Sequence, residues 1–89
     1  MQITLKLLPP YRKPGETGEI PLELADEPLN LKELAQYLTR EKPEILGFEL
    51  VDRQGTLTAE FMVNGKPVPL DYIPSGGDVI TVIPYICGG

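Results

Sequence analysis

Two consecutive glycines, Gly88-Gly89, close the chain a few residues beyond an apolar, β-branched run at 79–83. With glycine near 7% of residues on average, such a pair arises by background in about 0.5% of chain ends, so it calls for a reason. Glycine has no side chain, so a diglycine end enters a slot too narrow for any other residue and accepts backbone angles closed to them. What it delivers there is a free α-carboxylate on Gly89. At neutral pH that group is ionised, with a reference pKa of roughly 3.3–3.7, and an anion repels nucleophiles. It therefore cannot take up a sulfur or an amine unaided, and the chain reads as a device for presenting that carboxylate to other enzymes. Cys87 sets a thiol beside it, and that thiol fits either a sulfur relay or a small residue tolerated in a thin tail.

Composition removes most competing chemistries. The 89 residues contain no histidine and one cysteine, so the usual general base, His-dependent triads and a cysteine cage for zinc or iron–sulfur are all absent. No bound cofactor and no metal site are expected. Thirteen acidic against eight basic residues give a net charge of -5, which disfavours nucleic acid and favours basic protein surfaces as partners. No apolar run approaches a membrane span, no signal-peptide pattern opens the chain, and a lone cysteine suits a reducing compartment, so a cytoplasmic location is expected. The length predicts one domain over residues 1–89, with a flexible tail over about 85–89.

The elements that must position the tail follow from hydrophobic periodicity. Residues 3–7, Ile-Thr-Leu-Lys-Leu, alternate as a strand with one buried face. Leu8 breaks the alternation on the opposite face, and Pro9-Pro10 ends the ladder. A polar, glycine-bearing loop is expected over 11–18, then a second strand over 20–24 with Pro21 marking an edge. Asn30 and Glu33 predict a capping box, Leu29 and Leu34 a hydrophobic staple, and Leu31, Leu34, Ala35 and Leu38 one buried stripe. Pro43 should stop this helix by Lys42. Residues 45–57 fit either a short strand at Phe48 and Leu50 or a buried connector. Asn64-Gly65 predicts a hairpin after a strand at 58–63, with a short return strand around Val68. A turn at 75–78 precedes the β-branched strand at 79–83, which Pro84 ends. Strands enclosing one main helix indicate an α+β domain, a mixed four- to five-stranded sheet with the helix on one face.

Val63-Asn64-Gly65, the glycine-aspartate turn before a β-branched strand, the following proline and the final Gly-Gly together resemble the ubiquitin-like sulfur carriers of β-grasp fold. The likeness is to the MoaD/ThiS family, nearer its MoaD branch, the small subunits of molybdopterin synthase. Tyr85 and Cys87 depart from the family's pattern. The resemblance implies a non-catalytic carrier. A ubiquitin-activating-type partner would use ATP to adenylate Gly89, and a persulfide-derived sulfur would then leave a thiocarboxylate. The sulfur would pass to a pterin precursor in the large synthase subunit. Delivery to thiamin, tRNA or another acceptor, joining of the tail to target lysines as a modifier, and a plain interaction domain without tail chemistry stay open.

Leu8 and Ile83 stand at matching ends of strands expected to be neighbours, and each departs from its strand's alternation. With Pro84, Tyr85, Ile86 and Cys87 they form a candidate partner-binding patch leading to Gly88 and Gly89. The alternative is that Leu8 and Ile83 fill the rim of the core.

Overall fold

The computed structural model describes residues 1–25 and 28–84. Alternating side chains become a five-stranded sheet. β1 (Gln2–Leu7) buries Ile3, Leu5 and Leu7 on one face, and β2 (Glu19–Glu23) runs antiparallel beside it with Leu22 opposite Ile3. β3 (Ala59–Val63) buries Ala59, Phe61 and Val63, and β4 (Lys66–Pro67) returns alongside after the Asn64-Gly65 turn. The last strand, β5 (Val79–Pro84), inserts between β1 and β3, parallel to the first and antiparallel to the second. The order across the sheet is β2-β1-β5-β3-β4. This is the β-grasp architecture that the sequence predicts, with the strand leading to the tail at the centre. Each edge strand contains a proline, Pro21 in β2 and Pro67 in β4, which deprives a foreign strand of a ladder donor.

Between the two hairpins, α1 (Leu31–Glu41) turns Leu31, Leu34, Ala35 and Leu38 into the core formed by the inward faces of the strands. Its start is fully satisfied. The Asn30 side chain accepts from the Glu33 amide at 2.8 Å while the Glu33 carboxylate accepts from the Asn30 amide at 3.0 Å, the predicted capping box. The first two helical amides donate to carbonyls of a distant loop, Leu31 to Tyr72 at 3.0 Å and Lys32 to Leu70 at 3.2 Å. The helix ends at Lys42, ahead of a 3₁₀ turn at Pro43–Ile45.

Two expectations need correction, and one open alternative is decided. Tyr11, assigned from the sequence to a polar loop, is 1% exposed: its ring lies in the core and its hydroxyl donates to the Thr58 carbonyl at 2.6 Å. A tyrosine is buried readily when its single polar atom finds a partner. Phe48, by contrast, is 52% exposed and meets the Tyr11 ring edge-on at 6.1 Å, so 45–57 is a connector anchored by the fully buried Leu50. In place of a strand there it has a single bridge, Val51 to Leu57, closed by the Asp52 carboxylate accepting from the Gln54 and Thr56 amides. Finally, the return strand is Lys66–Pro67, and Val68 lies beyond it.

Gly18 and Gly65 both take φ near +84°, which L side chains adopt at a cost of about 1–2 kcal/mol. They differ in surroundings. A Cβ on Gly18 would sit 2.5 Å from the Leu7 carbonyl oxygen, whereas one on Gly65 would meet open space. Gly65→Ala should therefore cost about 1 kcal/mol in urea unfolding and Gly18→Ala about 3 kcal/mol. Equal losses would contradict the close backbone approach at Gly18.

Candidate functional site

Asp78 ends the turn before β5 and is buried, the carboxylate that fixes where the strand begins. Its Oδ1 accepts from the Asn64 side-chain amide at 3.0 Å, and its Oδ2 accepts from the Tyr72 hydroxyl and the Ser75 amide, each at 2.9 Å. Asn64, held at φ 52°, answers by accepting from the Val79 amide through Oδ1 at 2.9 Å. The Asp78 carbonyl accepts from Thr4 of β1 at 3.0 Å, and Gly77 donates to Gln2 at 2.7 Å. Burial alone would push the Asp78 carboxyl up; the bonds from Ser75, Asn64 and Tyr72 together outweigh it and hold the group below its ordinary value. The bond to Asp78 in turn raises the Tyr72 hydroxyl, with desolvation and the nearby negative charge adding to it.

From this anchor β5 runs about 20 Å, at ~3.3 Å per residue, to Pro84 at the other end of the sheet. There the parallel register sets Leu8 beside Ile83: the Leu8 amide donates to the Val82 carbonyl at 3.3 Å. Leu8 is 37% exposed, Ile83 is half-buried on the face away from the helix, and Glu60 of the neighbouring β3 is directly opposite Ile83. Neither Leu8 nor Ile83 belongs to the buried core. Pro84 pairs with Ala59 and closes the strand. Tyr85, Ile86, Cys87, Gly88 and Gly89 lie outside the described residues.

Beyond Ile83 the same face holds an open groove of about 300 Å³, lined by Glu60, Met62, Pro67, Val68, Leu70 and Ile83. Sequence reasoning missed both this groove and the Asp78 cluster. Met62 alternating with the buried Phe61 and Val63 signals an outward apolar side chain, and Pro67 and Pro69 around Val68 signal an irregular, unpaired border. For Asp78 the available signal was an acidic residue directly before a β-branched strand. Among the described residues, no group of three or more histidine, cysteine, aspartate or glutamate side chains could hold a metal ion, and no helix is long and apolar enough to cross a membrane.

The sequence model of the ThiS family matches residues 14–89. The chain belongs to the ThiS family. ThiS and MoaD-like proteins are ubiquitin-like sulfur carriers, small carrier proteins rather than catalysts. Solved structures agree on the fold. Small archaeal modifier protein 1 of Haloferax volcanii shares 15% identity, with 96% of this chain and 98% of that one covered and a TM-score of 0.73. Urm1 from Trypanosoma brucei shares 25% identity over 99% of this chain and 95% of that one, at a TM-score of 0.62. A chain from the complex of subunits 1 and 2 of the molybdopterin-converting factor of Helicobacter pylori shares 19% identity over the full length of both, at a TM-score of 0.58. No curated protein sequence matches the chain. Asn64 and Asp78, from two of the turns on which the sequence resemblance rests, are bound to each other.

Hydrogen bonds to a charged acceptor contribute about 1.5–3 kcal/mol each and do not simply add, so Asp78→Ala should lose about 2–4 kcal/mol at neutral pH. Folding lowers the Asp78 pKa, so the stabilisation is present above the unfolded carboxylate value near 3.9 and falls away as pH drops through the folded value. Wild type should therefore exceed Asp78→Asn in denaturant midpoint at about pH 6 and lose that advantage on acidification below about pH 4. A constant difference across that range would contradict the charged-acceptor account.

Proposed function

We propose that this ThiS-family protein is a sulfur carrier whose working group is the Gly89 carboxylate, and that it serves as the small subunit of a molybdopterin synthase. The observation that carries the reading is the placement of β5. A central strand, anchored at its start by Asp78, ends at Pro84 beside an apolar patch, five residues short of Gly89. Five extended residues span about 17 Å at ~3.4 Å each, enough to reach a buried site in a partner docked on the sheet. Molybdopterin is favoured among acceptors by the MoaD-like sequence pattern and by the likeness in fold to a subunit found with a second subunit in the Helicobacter pylori complex.

The chemistry runs in two stages, both in partner active sites. A ubiquitin-activating-type enzyme brings ATP to Gly89: a carboxylate oxygen attacks the α-phosphorus, pyrophosphate leaves, and an acyl-adenylate forms. The terminal sulfur of a partner's persulfide then attacks the carbonyl carbon and AMP leaves. A thiol of the partner cleaves the resulting sulfur–sulfur bond, taking the partner's sulfur as a disulfide and releasing the thiocarboxylate. The carrier contributes position, which converts an encounter between two reactants into a step within one complex. ATP is bound by the activating partner, and no cofactor resides on the carrier.

Leu8, Ile83, Pro84, Tyr85, Ile86 and Cys87 form the docking path in this reading, with Gly88 and Gly89 in the narrow channel. Gly88→Ala and Gly89→Ala should each slow ATP–pyrophosphate exchange by the activating enzyme about a hundredfold, because a methyl group obstructs the slot and displaces the carboxyl group. Exchange at wild-type rates would remove the channel. Ile83→Asp should weaken binding to the large synthase subunit about tenfold, while the unfolding midpoint moves little, since Ile83 lies outside the buried core. A large loss of stability with unchanged binding would return Ile83 to a packing role.

A further inference from the structure

The groove beside Ile83 combines apolar walls with one carboxylate. Met62, Val68, Leu70 and Ile83 are half-buried around it, and Glu60 is exposed at its border, in register with Ile83. The Glu60 carboxylate has no hydrogen-bond or ion-pair partner among the described residues. Lys6 is paired with Thr81 on the β1 side of β5, across that strand from the groove. A partner covering this face would strip water from the Glu60 carboxylate, which is costly unless the partner supplies a cation in the same place. The net charge of -5 acts in the same direction at long range.

We infer that the groove receives an arginine side chain of the docking partner, its aliphatic stem along Met62, Val68, Leu70 and Ile83 and its guanidinium on the Glu60 carboxylate. Two features select arginine. Its stem covers apolar surface while its head stays polar, matching a groove with a charge only at the border. Its planar fork offers a carboxylate two parallel donors and is more weakly hydrated than an ammonium, so it is less expensive to bury. Glu60 lies opposite Ile83, one residue before β5 ends, so a side chain locked there sets the register in which the tail leaves the sheet. The inference rests on the docking reading above and names the chemistry of the partner at that surface.

The test is an NMR titration of the full-length ¹⁵N-labelled protein with N-acetyl-arginine amide. The controls are N-acetyl-citrulline amide, which keeps the shape without the charge, and N-acetyl-norleucine amide, which keeps only the apolar stem. The arginine probe should shift the amides of Glu60, Met62, Val68, Leu70 and Ile83 on one saturable curve. Its affinity should exceed that of the citrulline probe about fivefold and weaken with salt. Glu60→Gln should erase that preference while leaving the norleucine response unchanged. Equal response to arginine and citrulline, tighter binding of norleucine, or shifts spread equally over Glu16, Glu19 and Glu23 would overturn the inference. The titration needs no activating enzyme. Failure here would leave the tail chemistry standing, and failure of thiocarboxylate formation would leave the titration result standing.

Discussion

A single buried carboxylate holds together parts of the chain that share no continuous strand or helix. Asp78 ties the β3–β4 turn through Asn64 and the 69–75 loop through Tyr72 and Ser75, and its own carbonyl joins β1 through Thr4. The same loop supplies the carbonyls of Leu70 and Tyr72 that satisfy the opening amides of α1. Helix, hairpin and central strand are thus referred to one group. An unpaired carboxylate there would be costly, and three donors remove that cost, so the arrangement is stable only when all its parts are in place. That condition fixes the starting point of β5 and, with it, the line along which the chain reaches Pro84.

In the proposed role the sheet is organised around delivery. Putting β5 in the centre gives it ladder partners on both sides, β1 and β3. Proline at each border keeps the sheet from recruiting further strands. The helix covers one face and leaves the other with Leu8, Ile83, Met62 and the groove, next to the end where β5 stops. A partner that grips this face acquires a fixed distance to whatever Pro84 leads to. Division of labour follows in the proposed role: the carrier provides geometry, and the partners provide nucleotide, sulfur and bond making.

Legibility from sequence divides along physical lines. The helix and its cap could be read because Asn30, Glu33 and the leucine stripe are local features governed by one period. The adjacency of β1 and β5 was expected from the element order, and the Leu8–Ile83 juxtaposition came with it. Tyr11 was misplaced because its burial depends on Thr58, 47 residues away, and no local pattern announces that partner. Phe48 and Leu50 were left ambiguous for a similar reason: an apolar residue in a connector can point to either side, and only long-range packing decides. The Asp78 cluster was hidden because its members at 64, 72, 75 and 78 meet through turns, which carry no period to count. The groove emerged only when β4 proved to be two residues long, leaving Val68 to Leu70 as its wall.

The central claim, that the carbonyl carbon of Gly89 takes up sulfur, is tested most directly by intact and fragment mass spectrometry. The protein is incubated with its activating enzyme, ATP and a persulfide donor before analysis. The account predicts exchange of one oxygen for one sulfur, located to Gly89 by fragmentation and dependent on ATP. Addition of a whole sulfur atom at Cys87 without ATP, or an unmodified Gly89 under conditions that turn over the activating enzyme, would contradict it.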